Sequence, residues 1–273
     1  MSADAIKKRV DWIIYGLMYL MISLPILAPF SPPLTVGDKA RAFYALVDGL
    51  PANPKVLMVY DYGPDSYPLY QGLQEAFLKQ VFSKGARVVV VSFSTSGPMM
   101  FQRMLGTGKE IWAPRKYGVD YANLGYIAGG ETAVASFLAN IRGALSTDFQ
   151  GNRLETLPIM ANINTAKDFD LVFACETETT LGYGWIRQVS TAFGIKLALI
   201  TPTGQLMEPY YPAQIQGLLY PLPKAAAEYE TLLRTPGNAS SQLAISFVGC
   251  LFYALLMFGN VGKLFTRGRE TKK

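Results

Sequence analysis

Five acids sit at or just beyond the ends of short apolar segments: Asp61 and Asp65 after "KVLMVY", Glu131 after "LGYIAGG", and Glu176 and Glu178 after "DLVFAC". Carboxylates brought to one place by different loops are a donor set for a hard cation such as Ca²⁺ or Mg²⁺. These loops and the one after "RVVVVSF" carry hydroxyls (Ser66, Ser94, Ser96, Thr177, Thr180) and the double glycine Gly129-Gly130, which offer hydrogen bonds to a polar ligand. Asp61, Asp65, Ser66, Gly129, Gly130, Glu131, Glu176 and Glu178 are therefore the candidate ligand-binding residues. The plainer alternative is that Asp65, Ser66 and Glu131 complement helix N-termini while the other acids face water. No residue is assigned a catalytic role, and the identity of any metal is left open.

The chain contains no histidine. That excludes a Ser-His-Asp triad, a Cys-His dyad and histidine-ligated zinc or haem. With Cys250 inside an apolar run, Cys175 stands alone in the central region, so neither a cysteine metal cluster nor a disulfide is expected there. No cofactor is expected. The phosphate-binding lysine motif is missing, and "GPDSYP" and "YIAGGET" both lack the glycine spacing of a dinucleotide turn.

These residues need a scaffold, and the central region supplies alternating patterns for one. Near-continuous apolar runs at Lys55–Asp61, Arg87–Phe93, Asp120–Tyr126, Asp170–Glu176 and Ile195–Ile200, with a short sixth at Gly217–Leu222, read as strands buried on both faces. Helical patterns at Ser66–Lys84, Gly97–Leu105, Glu131–Leu145, Thr180–Phe193 and Lys224–Leu233 lie between and after them, and Asp38–Asp48 precedes the first. This alternation predicts an α/β fold, a Rossmann-like three-layer sandwich with a mostly parallel five- to six-stranded sheet. The candidate residues then fall at the carboxyl edge, where open α/β sheets bind ligands.

The ends of the chain are different. Half of the residues are hydrophobic and 16% are charged, and the apolar excess is concentrated in two uncharged runs, Trp12–Phe30 and Leu243–Gly262. Each is long enough to predict a transmembrane helix, at residues 12–32 and 243–262, flanking a domain at 36–235. Lys7, Lys8 and Arg9 precede the first run, and Lys263, Arg267, Arg269, Lys272 and Lys273 follow the second. The region between is formally neutral, so the net charge of +5 belongs to the tails. That asymmetry predicts cytoplasmic tails at 1–11 and 263–273, and an extracytoplasmic domain on a two-pass inner-membrane protein. Nucleic acid is not an expected partner. The lipid bilayer is, together with other membrane protein subunits or a homo-oligomer. Ser246, Cys250 and Ala254 form a small-residue stripe for helix packing, and the proline- and tyrosine-rich stretch Thr201–Glu230 offers a contact surface.

One family resemblance adds an enzymatic alternative. The Gly-Gly turn opening a helix, followed by a strand and the turn "TTLGYGWIR" at Thr179–Arg187, resembles ClpP and signal-peptide-peptidase A-type serine peptidases over part of the chain. The resemblance implies an oxyanion hole at the first turn and a nucleophilic serine at the second. Here Thr180 stands at the second turn, and the base would have to be Lys167 or Lys196. The sequence thus predicts a membrane-anchored interaction or structural subunit. The alternative is a tethered ligand-binding domain or metal-dependent hydrolase working at the carboxyl edge.

Overall fold

The computed structural model describes residues 3–27, 34–235, 246, 248–255 and 257. The chain divides into two units, Thr35–Thr235 and one that takes in both ends, Met1–Leu34 with Pro236–Lys273. In the second unit, α1 (Ala3–Leu27) is a single helix whose described side chains are exposed or half-exposed, with Leu27, Tyr19 and Trp12 the most exposed of its large apolar residues.

Among the described residues, no helix is long and apolar enough to cross a membrane. The reason in α1 is its composition. Asp4, Lys7, Lys8, Arg9 and Asp11 occupy its first turns, and the uncharged remainder from Trp12 to Leu27 spans about 24 Å, short of a roughly 30 Å hydrocarbon core. The expected span at 12–32 is thereby corrected. With it go the two-pass anchor, the inner-membrane location and the orientation read from the tails. The second expected span, 243–262, lies largely outside the described residues, as does the basic tail at 263–273. Of the small-residue stripe, Ser246 and Cys250 are exposed and Ala254 is half-buried.

The unit from Thr35 to Thr235 is the predicted α/β sandwich. Its strands are β1 (Lys55–Asp61), β2 (Arg87–Ser92), β3 (Tyr121–Tyr126), β4 (Leu171–Glu176), β5 (Leu197–Ile200) and β6 (Gly217–Leu219). They form one sheet in the order β3-β2-β1-β4-β5-β6, and each neighbouring pair runs parallel. In chain order the helices are α2 (Asp38–Asp48), α3 (Tyr67–Ser83), α4 (Gly97–Thr107), α5 (Lys109–Trp112), α6 (Gly130–Ala139), α7 (Ile141–Ala144), α8 (Thr179–Trp185), α9 (Gly204–Met207) and α10 (Pro223–Leu233).

Strand alternation divides the core into two layers. Val56, Met58, Tyr60, Phe173 and Cys175 face α2, α3, α4 and α10, where Phe77 stacks on Phe173 at 3.8 Å and Phe43 packs edge-on against both. Leu57, Val59, Val89, Val172 and Ala174 face α6, α8 and the irregular stretch before β4. Trp112 is buried against Phe82, Phe101 and Tyr121.

Two helices differ from the prediction. The pattern Glu131–Leu145 breaks at Asn140, whose backbone is extended and whose Oδ1 accepts from Gly143 N at 2.9 Å, starting α7. A side chain that competes for backbone donors caps a new turn more readily than it continues an old one. The pattern Thr180–Phe193 is α8 followed by a π-helical segment, Ile186–Thr191.

Val88, Val89, Val90 and Val91 are all buried, as a central parallel strand requires. Val89→Asp is expected to abolish folded protein. An unpaired carboxylate there costs several kcal/mol, against a total stability of about 5–15 kcal/mol. Circular dichroism and soluble yield check this, with Val89→Ile as the volume-tolerant control that stays folded.

Candidate functional site

The order in which strands are added reverses between β1 and β4. From β1 the chain builds outward to β2 and β3, then returns to lay β4 on the opposite side of β1. At such a switch point the loops leaving the two strands diverge, which opens the usual ligand position of doubly wound sheets. Asp61 closes β1 and Glu176 closes β4, and the two are register partners. By alternation both side chains point to the layer that holds Leu57 and Val172, beneath α8.

Asp61 is buried. Its Oδ1 accepts from Phe93 N at 2.6 Å and Ser94 N at 3.1 Å, with Ser92 Oγ also at 3.1 Å. Burial pushes its pKa up to about 6, against the pull of these donors and of the Trp185 indole. Neither Asp61 Oδ2 nor Trp185 Nε1 has a partner in hydrogen-bond geometry, so the indole acts on the carboxyl without bonding it.

Glu176 is fully buried and neither of its oxygens has a hydrogen-bond partner. Burial pushes its pKa up to about 8, with the charges of Asp61 and Glu178 adding to the rise; the Thr201 hydroxyl opposes it. That hydroxyl is engaged with Thr203 Oγ1 at 2.9 Å. Above Glu176 lies Gly182 of α8. A Cβ there would come within 2.8 Å of both Glu176 Oε1 and Met207 Cε, so any side chain would have to push these two chain ends aside, and glycine lets the helix rest on the acid as it stands. On the other face, Tyr70 donates to the Glu176 carbonyl at 2.6 Å and burial holds the Cys175 thiol in its neutral form.

The remaining candidates lie apart from this pair. Glu131, in the first turn of α6, is clamped by Arg187 through Nε at 2.8 Å and a second bond from Nη2, and by Gln188 at 3.0 Å. These bonds, Arg187's first, lower its pKa to about 2. Gly129 and Gly130 have φ of 123° and 56°, so the double glycine is needed for its backbone conformation. Gly129 also lines a shallow cavity of about 320 Å³ with Ile127, Ala128, Thr132, Ala133, Ser136 and Ala144, none of them charged. Asp65 and Glu178 are exposed, and Ser66 Oγ lies 3.3 Å from Asp65 Oδ2. Among the described residues, no three His, Cys, Asp or Glu side chains converge as a metal site would need. Of the five acids, the structure brings Asp61 and Glu176 together and leaves the other three outside.

The peptidase resemblance lacks its geometry. Thr180 is exposed on the first turn of α8, whereas Lys167 and Lys196 are exposed ahead of β4 and β5, at the amino edge of the sheet. Missed by the sequence were Ser92, Gly182, Trp185, Arg187 and Thr201. A serine closing the valine run of β2 was the signal for the first. For Gly182, Trp185 and Arg187 the signal was "LGYGWIR", whose glycines let one helix lie on an acid; Thr201 carried none. No family model matches the chain, and no curated protein or solved structure is significantly similar to it.

Both Asp61 and Glu176 hold their protons more tightly when folded than when unfolded. Each therefore stabilises the fold least once it is forced to ionise: stability falls as pH rises from the ordinary 4.5 to about 8 for Glu176, and from 3.8 to about 6 for Asp61. Glu131 has the opposite sign, contributing above pH 4.5 and losing that contribution as pH falls towards 2. Thermal melts of the wild type are expected to decline between pH 5 and 8. Glu176→Gln should flatten that decline and melt several degrees higher than the wild type at pH 8, at roughly 2–4 °C per kcal/mol for a domain of this size.

Proposed function

We propose that this protein is a ligand-binding α/β domain that takes a small polar molecule at the carboxyl edge of its sheet, between the ends of β1 and β4. The observation that carries this reading is Glu176, fully buried with both oxygens unpartnered at the switch point. A buried acid beside a second acid is costly, and leucine or methionine would fill the same volume more stably. Strongly perturbed acids in such a place are a mark of functional sites.

Binding suits the residues better than catalysis. Among the described residues, this edge holds no cluster of acids able to carry a metal for hydrolysis, and the Ser92 hydroxyl that bonds Asp61 is buried and also bonds the Tyr60 and Ser94 carbonyls. The helix α8 covers the pair, with Gly182 resting on Glu176, and continues into a π-helical turn. Such turns interrupt the hydrogen-bond ladder of a helix and recur at functional sites. The Glu131–Arg187 ion pair ties that turn to α6 and holds the cover down.

A thermal-shift screen of the wild type, Glu176→Gln and Asp61→Asn against nucleotides, sugars, amino acids and amines tests the reading. At least one compound is expected to raise the wild-type midpoint by roughly 5–10 °C at a hundred times its Kd, and to leave the folded Glu176→Gln variant unmoved. A screen in which nothing binds, or in which both proteins respond equally, overturns it.

A further inference from the structure

We propose that the ligand of this edge is a small organic cation bearing N–H donors, a primary ammonium or guanidinium group, held between the Asp61 and Glu176 carboxyls. This rests on the ligand-binding reading above and names its chemistry.

The argument is one of missing countercharge. Buried acids are ordinarily paired with a cation or satisfied by donors. Here, among the described residues, no ion pair involves Asp61 or Glu176. Arg187, on the turn that follows α8, is already taken by Glu131. The charged groups that act on Glu176 are acids, Asp61 from β1 and Glu178 from its own loop. From the opposite layer come Cys175 and Tyr70, both held neutral by burial. Thr201 on β5 and Gly182 on α8 add no charge.

Three acceptor oxygens are buried without a hydrogen-bond partner: Asp61 Oδ2, Glu176 Oε1 and Glu176 Oε2. An ammonium has three N–H donors, and a guanidinium presents its donors in a fork that suits carboxylates. An anion would add a further negative charge to the site. Ca²⁺ needs six to eight oxygen ligands and Mg²⁺ an octahedron completed by waters; two carboxyls supply only part of either shell, and among the described residues no third acid joins them. A neutral polyol would satisfy the oxygens and leave the charge uncompensated.

The proton balance follows. Empty, the site keeps a proton on Glu176. When the cation enters, that proton leaves to solvent and the carboxylate pairs with the ligand, so binding releases one proton and strengthens with pH.

The test is calorimetric titration of the full chain with methylammonium and with agmatine, in two buffers of different ionisation enthalpy. Tetramethylammonium, which has no N–H, glycerol, acetate and MgCl₂ are the comparisons. Methylammonium or agmatine is expected to bind while tetramethylammonium does not. Affinity should rise up to tenfold per pH unit towards about pH 8 and then level, with one proton released per ligand at pH 6.5. Glu176→Gln and Asp61→Asn, each checked for folding by circular dichroism, should lose at least tenfold in affinity. Proton release is read on the wild type and does not depend on either variant folding. Binding by glycerol, acetate or Mg²⁺ that requires Glu176 would overturn the cationic assignment while sparing the site. Equal binding of tetramethylammonium, or no proton release, overturns it as well. Failure of every compound, here and in the screen, overturns site and ligand together.

Discussion

The parallel pairing of β1 with β4 is the constraint on which the rest of the molecule depends. It joins the half of the sheet built from β1, β2 and β3 to the half built from β4, β5 and β6, and it sets Asp61 opposite Glu176 in register. Both strands are covered on both faces, so their backbone groups have no solvent to fall back on and must pair with neighbouring strands. Apolar side chains fill the strands up to their last residue. Polarity is admitted only where the strands end, and there it is admitted twice, side by side.

That placement has an energetic logic. The amides after β2 turn inward and satisfy one oxygen of Asp61, which softens the cost of its burial. Glu176 receives no such help and answers by keeping its proton. The two acids thus differ in environment although they sit in equivalent register positions. A single carboxyl with satisfied neighbours would be a structural detail. An unsatisfied one beside a second acid, under a helix that carries glycine where it touches the acid, is the arrangement on which the binding proposal rests.

Much of the fold was legible because its signals are local. Four valines in a row, Val88 to Val91, state that β2 is central. Gly85, at φ 76°, states where α3 must stop. The carboxyl edge followed from strand direction alone, and with it the eight candidate residues. What was not legible depends on partners distant in sequence. Glu131 reads as a free acid at a helix start until Arg187, fifty-six residues away, is seen to bind it. Asp65 and Glu178 look equivalent to Asp61 and Glu176 until strand parity and strand ends decide which of them are covered. The apolar run from Trp12 looks long enough to span a bilayer until the helix that contains it is seen to spend its first turns on charged residues. Length of an uncharged run and length of an apolar helix are different quantities, and only the second meets the lipid requirement.

The strand order also sets a timetable for synthesis. Lys55 bonds its backbone to Asp170, one hundred and fifteen residues later in the chain. At about 5–20 residues per second, a ribosome needs roughly 6–23 s to deliver β4 after β1 has emerged. During that interval β1, β2 and β3 can pair among themselves, but the apolar free edge of β1 has no partner and is a template for other chains. The nascent protein is most exposed to misassociation in that interval, so slow translation or a missing chaperone would be felt there before anywhere else in the chain.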